Sequence, residues 1–273
     1  MAKKENGKGF TLKLENSKII KVIIETLSSI IDETEFYITP KEFTISAMDP
    51  SRICLLKLEL AKGDFDEFKC ETECKIGLNL DDLKKILKRC GPNDTIMLEY
   101  AEKDQKLKIK MQAGESSRIR TFSLTLLDID IEEIPMENLM KIEFPTKWTM
   151  DAALLIEALK DAEIYSEILN MKTIEGEGLM FSSVGQIGEM EYELGIDDLI
   201  DHEFTETNTG AYSLTFLKSI LKISNITEKL EISLRSDHPI KFVFTLIEGG
   251  VLNYFLAPRV EEADFDEDDL EDF

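Results

Sequence analysis

At 273 residues the chain is long enough for about two domains that each bury a core, and 43% hydrophobic content marks it as globular. Its formal net charge of −23 argues against indiscriminate adhesion to nucleic acid. No apolar run approaches the roughly 20 residues that span a bilayer, and MAKKENGKGF lacks the apolar core of a signal peptide, so no membrane contact is expected.

Residues 1–9 read as an extension. SKIIKVIIETLSSII (17–31) then sets Ile19, Ile20, Ile23, Ile24, Leu27 and Ile31 on one side of a helix. Asn16 or Ser17 is its cap, and Lys18 and Lys21 lie opposite the isoleucines. The runs EFYIT, FTISAM and ICLLKLEL read as strands. LDDLKKILKRC, from residue 80, is the second helix: Leu83, Ile86, Leu87 and Cys90 share one face, and Lys84, Lys85, Lys88 and Arg89 share the other. After the turn CGPND come the strand candidates TIMLEY, LKIKMQ and IRTFSLTL.

LLDIDIEEIPMENLMK (126–141) is acidic, carries Pro135 and shows no amphipathic helix of its own; it reads as a connector, long enough to suggest a function. The third helix, MDAALLIEALKDAEI (150–164), buries Leu154, Leu155, Ala158, Leu159 and Ala162. Its outer face presents Lys160 together with Ile156, Glu157 and Glu163. The fourth, SLTFLKSILKI (213–223), buries Leu214, Leu217, Ile220 and Leu221 and presents Lys218 and Lys222. LEISLRS, IKFVFTLI and NYFLAP are further strands. The chain closes on EEADFDEDDLEDF (261–273), with nine carboxylate side chains and no Lys or Arg, an acidic tail of disordered composition.

The first helix precedes the second by about 64 residues, the third precedes the fourth by about 63, and the two pairs lie about 134 apart. That is one α+β architecture performed twice. The expected organisation is a domain at 10–125, the connector 126–141, a second domain at 142–260 and the tail.

Every helix carries at least one cation facing away from its apolar side. If both halves hold their helices on the same side of the sheets, these cations form one basic surface on an acidic molecule, suited to phosphates. No base-reading motif accompanies them, so contact with a duplex would be weak, salt-sensitive and indifferent to sequence. Enzyme readings find no support: G-x-x-x-x-G-K-[ST], H-E-x-x-H and G-x-S-x-G are absent, and His202 and His238 have no obvious nucleophile partner. Cys54, Cys70, Cys74 and Cys90 read as buried thiols of a reducing compartment. Cys70 and Cys74 have the spacing of two metal ligands but no second pair downstream, so neither metal nor cofactor is expected.

AMDPSRICLLKLEL, IGLNLDDLKKILKRCG, RTFSLTLLDID and YFLAPRVEE, in order from about Phe10 to Glu262, resemble the sliding clamps of the proliferating-cell-nuclear-antigen family, in archaeal spelling. The resemblance implies two clamp domains per subunit, each with two helices on antiparallel sheets, and three subunits closed into a ring with helices lining the bore. It implies a processivity factor on double-stranded DNA, with Lys18, Lys21, Lys84, Lys85, Lys88, Arg89, Lys160, Lys218 and Lys222 facing the duplex. Ile156 and Glu157 stand where the family often has a basic residue, so the second domain's share of the bore should be less positive. DNA polymerase, clamp loader, flap endonuclease and DNA ligase would dock by short motifs in a groove made by Met48, Arg52, Ile53, Ile134, Pro135, Pro239, Phe255, Leu256, Ala257 and Pro258. The strand near Arg118 to Leu124 would pair with the strand near Met190 to Leu194 of the next subunit. A homotrimer is expected, with a ring of paralogues as the variant, in the cytoplasm at the nucleoid, or the nucleus of a eukaryote. Glu267, Leu270 and Phe273 keep the spacing of a partner motif, so the tail is a candidate occupant of the same groove. The other class of reading is a clamp-fold scaffold or checkpoint-type ring with no replication role.

Overall fold

The computed structural model describes residues 9–259, apart from positions 92, 115–116, 130–135 and 248. The first half runs β1 (Gly9–Leu14), α1 (Ser17–Leu27), β2 (Glu33–Ile38), β3 (Glu42–Met48), β4 (Cys54–Ala61), β5 (Glu67–Cys70), β6 (Cys74–Asn79), α2 (Leu80–Leu87), β7 (Asp94–Ala101), β8 (Lys106–Ala113) and β9 (Ile119–Thr125). A short helix, α3 (Met136–Met140), belongs to the connector. The second half repeats the order: β10 (Thr146–Met150), α4 (Ala152–Ala162), β11 (Ile168–Ile174), β12 (Gly178–Gly185), β13 (Gly188–Gly195), β14 (Asp201–Phe204), β15 (Asn208–Ser213), α5 (Leu214–Ile220), β16 (Thr227–Leu234), β17 (Ile240–Leu246) and β18 (Val251–Leu256). Element for element the halves correspond, as the helix spacing predicts.

α1, α2 and α4 begin where a capping side chain satisfies one of the first amides, whereas Ser213 before α5 makes no such bond. Asn16 accepts from Lys18 N, Asn79 from Asp82 N and Asp151 from Ala153 N. Three of them end earlier than apolar periodicity alone suggests. After α1, the Ser28 and Ser29 hydroxyls bond back to the Glu25 and Thr26 carbonyls and turn the chain before Ile31. After α5, residues Leu221–Ile226 tighten into a 3₁₀ segment that still buries Leu221, Ile223 and Ile226. The connector departs from expectation: α3 seats Met136 and Leu139 against Leu55, Phe255 and Met48. Five residues are too few for helical periodicity to register in the sequence.

Three antiparallel sheets result. The first half contributes β5-β1-β7-β8-β9, the second contributes β13-β12-β11-β15, and a nine-stranded sheet joins them as β14-β10-β16-β17-β18-β4-β3-β2-β6. The join is β18 on β4, from Val251↔Glu59 to Leu256↔Cys54. The helices form one layer: α1 packs on α2, on α5 and on the 221–226 segment, and α4 packs on α5. One apolar core, including the fully buried Ile23, Ile24, Leu155, Leu217 and Phe242, runs beneath that layer through both halves. Alternation along the strands supplies its other side, as in β8, where Leu107, Ile109 and Met111 are buried. After β9 the chain passes β6, with Leu127 N donating to Gly77 O at 2.9 Å. A Cβ on Gly77 would stand 2.5 Å from the Leu127 carbonyl oxygen, so the connector needs glycine there.

Candidate nucleic-acid face and partner groove

All nine sequence-nominated cations belong to the four longer helices or the turns that follow them, so the single helical layer brings them to one surface. They are not equivalent. The Lys21 ammonium donates to the Cys90 carbonyl at 3.0 Å and thereby ties α1 to the end of α2. Lys84 and Lys85 each pair with an acidic residue three positions back, Asp81 at 2.6 Å and Asp82 at 2.8 Å. The Lys84 hydrogen bond and charge hold the Asp81 carboxyl below the usual range, and Asp82 likewise raises Lys85. Lys218 pairs with Glu163 across from α5 to α4. Lys18, Lys88, Arg89, Lys160 and Lys222 are exposed and make no ion pair with a described residue. The sequence stripe on α2 is therefore two paired lysines followed by two unpaired cations.

The outer strands of this layer's supports differ in charge. α2 packs on β9, where Arg120 bonds the Arg89 carbonyl at 2.9 Å and the Asp94 carboxylate at 2.6 Å. α4 packs on β13, where the Tyr192 hydroxyl donates to the Glu157 carboxylate at 3.2 Å. Glu189, Glu191 and Glu193 occupy the exposed alternate positions of β13.

On the opposite side of the sheet, Met48 ends β3 and the loop to β4 is organised by Asp49. This carboxylate, only 4% exposed, accepts from the backbone N–H of Ser51 (2.9 Å), Ile53 (2.7 Å) and Cys54 (2.6 Å). The three bonds hold a turn in which Arg52 adopts φ 57°, a left-handed conformation that is uncommon outside glycine and asparagine. Ile53 stands exposed, and its carbonyl accepts from Ala257 N at 2.8 Å, which locks the loop to the end of β18. Phe255, Leu55 and Met136 make a buried apolar floor. Leu256 points the other way, into the main core, leaving its backbone to the groove. Pro239, Ala257 and Pro258 are half-buried at the margin. Ile134 and Pro135 lie outside the described residues.

Two features here escape sequence reasoning. Asp49 reads as an ordinary turn residue in AMDPSR until its three amide partners are seen. A trough of about 630 Å³ continues from Pro258 and Arg259 over β15 and β11, lined also by Ala211, Asn170 and Lys172. Burial pushes the Cys54 thiol beside this loop up to about 12, so it is neutral. Among the described residues, no group of three or more His, Cys, Asp or Glu side chains is placed to hold a metal ion.

Comparison with known proteins covers both halves of the chain. Residues 9–134 match the family model for the proliferating cell nuclear antigen N-terminal domain, and 138–259 match its C-terminal domain. The chain is 34% identical over 255 residues to a DNA polymerase sliding clamp of Pyrococcus horikoshii, covering 93% of this chain and 99% of that one. It is 29% identical over 252 residues to a DNA polymerase sliding clamp of Methanococcus maripaludis, covering 90% and 97%. The crystal structure of PCNA from Thermococcus kodakaraensis matches with a TM-score of 0.82 at 24% identity, over 92% of this chain and 100% of that one; that likeness speaks for the fold.

Proposed function

The chain belongs to the proliferating cell nuclear antigen family, and from that membership we propose how it acts as a DNA polymerase sliding clamp. Three copies close head to tail around duplex DNA, with the helical layer inside and the sheets outside. The retention is topological, so a few cations suffice: Lys18, Lys88, Arg89, Lys160 and Lys222 touch phosphates directly, while Lys21, Lys84, Lys85 and Lys218 stand behind them in existing contacts. The acidic remainder repels DNA from the outer surface.

The duplication supports the ring. β18 lies at the end of its five strands as β9 does, and β4 ends its four as β13 does. Joining β9 of one copy to β13 of the next therefore repeats the internal β18–β4 junction. Phe122 pairs with Ile109 as Tyr254 pairs with Phe242, and Met190 pairs with Ser183 as Leu56 pairs with Ala47. Since Tyr254 faces Leu56, Phe122 would face Met190 of the partner subunit. Cationic Lys88, Arg89 and Arg120 then approach acidic Glu157 and Asp161 of the partner subunit. A head-to-tail contact of this kind generates a closed ring when the rotation closes, and it covers the edges of β9 and β13, which would otherwise be open to aggregation.

The proposed domains are 10–125 and 142–260, with 126–141 as the connector, whose Met136 and Leu139 pack at the partner groove. DNA polymerase, clamp loader, flap endonuclease and DNA ligase would enter that groove with a short helical motif, aromatic side chains on the floor of Leu55, Met136 and Phe255. The chain itself performs no chemistry. No helix of the described residues is long and apolar enough to cross a membrane; action at the nucleoid follows from the substrate.

The single observation that carries the reading is that all four longer helices, from both halves, form one cation-bearing layer. Light scattering should give the mass of three chains, and loaded protein should stay on circular DNA and run off the same DNA once linearised. Equal retention on both would point to a scaffold that grips, or to no ring. A monomer at micromolar concentration would point to a ring of paralogues.

A further inference from the structure

The β5–β6 and β14–β15 loops are the same corner in the two halves. Each has three residues, Glu71–Thr72–Glu73 in one and Thr205–Glu206–Thr207 in the other, and each carries the chain from one sheet to another. In the second half the central carbonyl, that of Glu206, accepts from the Thr146 hydroxyl at 3.2 Å and the Asn208 amide at 3.3 Å. Asn208 is buried and extends the network to Ser236. In the first half the equivalent carbonyl, that of Thr72, is faced by two sulfurs, Cys70 Sγ at 3.0 Å and Cys74 Sγ at 3.4 Å. Thiols are weak donors, so this pair closes the corner less well than a hydroxyl and an amide do. What two sulfurs converging on one oxygen can do, and threonine with asparagine cannot, is bond to one another.

We infer that Cys70 and Cys74 form a reversible disulfide that staples the corner between the five-stranded and nine-stranded sheets when a low-molecular-weight disulfide is in excess. Cys70, the more exposed of the two, loses its proton and attacks one sulfur of the disulfide, releasing one thiolate and leaving a mixed disulfide on Cys70. Cys74 then gives up its proton and attacks the Cys70 sulfur, forming the internal S–S bond and releasing the second thiolate. Both protons end on the two released thiolates; the chain has lost two electrons and the small disulfide has gained them. The Thr72 carbonyl, on an exposed residue, turns to water. Burial and the neighbouring Cys74 push the Cys70 thiol up to about 11, so little thiolate is present at neutral pH and the staple forms slowly. The bond joins β5, which pairs with β1, to β6, which pairs with β2, and so ties strands of separate sheets.

The test uses the full chain, incubated folded with oxidised glutathione, quenched with iodoacetamide and cut with trypsin. Cys70 and Cys74 share one tryptic fragment, CETECK. The expected product is that fragment two hydrogens lighter and unalkylated, while Cys54 and Cys90 become alkylated once the chain is unfolded. Cys74→Ser should trap the glutathione adduct on Cys70, and Cys70→Ser should leave Cys74 unmodified over the same interval. An unchanged wild-type fragment would overturn the inference. So would an adduct that persists on wild-type Cys70 as it does in Cys74→Ser, or a bond between chains instead of within one.

Discussion

The internal junction and the two open edges are built from equivalent strands, yet one is filled and the other is not. β18 covers β4 along six residue pairs, and Leu56, Leu58, Tyr254 and Leu256 beneath it are buried. β9 and β13, their counterparts, leave Phe122, Leu124, Met190 and Tyr192 only half-covered. The difference teaches that a half-buried apolar row on an edge strand can be an incomplete core whose complement sits in another copy. The two edges also differ from each other in sign, with Arg118, Lys88 and Arg89 near one and Glu189, Glu191 and Glu193 on the other. Like sign on both edges would have favoured solubility alone; opposite sign favours an ordered, directional contact.

The equivalence breaks most sharply at Phe122. Phe122→Glu would place a carboxylate in the junction core, a cost of several kcal/mol. Light scattering should show the mass dropping to about a third, with the fold unchanged by circular dichroism. The counterpart Tyr254→Glu joins segments of one chain, so it should lower the melting midpoint instead of the mass. Both variants behaving alike would mean that the two junctions are not equivalent. Next in size is charge. Reversing Glu157 and Asp161 together to Lys should weaken the ring by roughly ten- to a hundredfold, on the scale of close interfacial charge pairs. Adding Lys88→Glu and Arg89→Glu should recover much of that loss, and failure to recover it in a double-mutant cycle would remove the electrostatic part of the junction.

Asp49 tests the groove, which lies over the filled junction. Asp49→Ala strands three amides, of which that of Cys54 is buried, and releases the turn that fixes Arg52 and Ile53. A partner peptide should bind about tenfold more weakly by calorimetry, at unchanged ring mass, for a loss near 1.4 kcal/mol. Affinity equal to that of the wild type would show that the loop is held by Ala257 and the sheet alone.

Much of this is legible in the sequence, for a physical reason: amphipathic helices announce themselves by period. α1, α2, α4 and α5 all start within two residues of the expected positions, and the duplicated spacing reveals the doubled fold. Strands β11 to β15 are harder to read. NMKTI and GLMFSSVG mix methionine, serine and glycine where β-branched residues usually mark a strand. Their strand state comes from pairing with neighbours, which is a tertiary fact. The helix α3 and the role of Asp49 are likewise set by what they touch. At the candidate surface, periodicity assigns all nine cations to helices that the structure carries or to the turns that end them, but it cannot say which of them are already engaged.

That last distinction gives the smallest and most discriminating prediction. By period alone Lys84, Lys85, Lys88 and Arg89 are one stripe; by structure they are two classes. Lys84 and Lys85 each hold a carboxylate, so removing them also frees Asp81 and Asp82. Lys88 and Arg89 hold none among the described residues and lie at the end of α2 beside the open edge. Lys88→Ala with Arg89→Ala should lower the salt dependence of DNA binding by roughly one unit of log–log slope for each phosphate no longer neutralised, about two in all. Lys84→Ala with Lys85→Ala changes the formal charge equally, so general electrostatics predicts the same affinity loss at low salt. If phosphates are met mainly by unengaged cations, the slope in this second variant should move by well under one unit. Titrations at several salt concentrations, at matched ring mass, separate the two cases. Equal slopes would mean that the ion pairs open on contact with DNA and that the stripe acts as the sequence alone suggests.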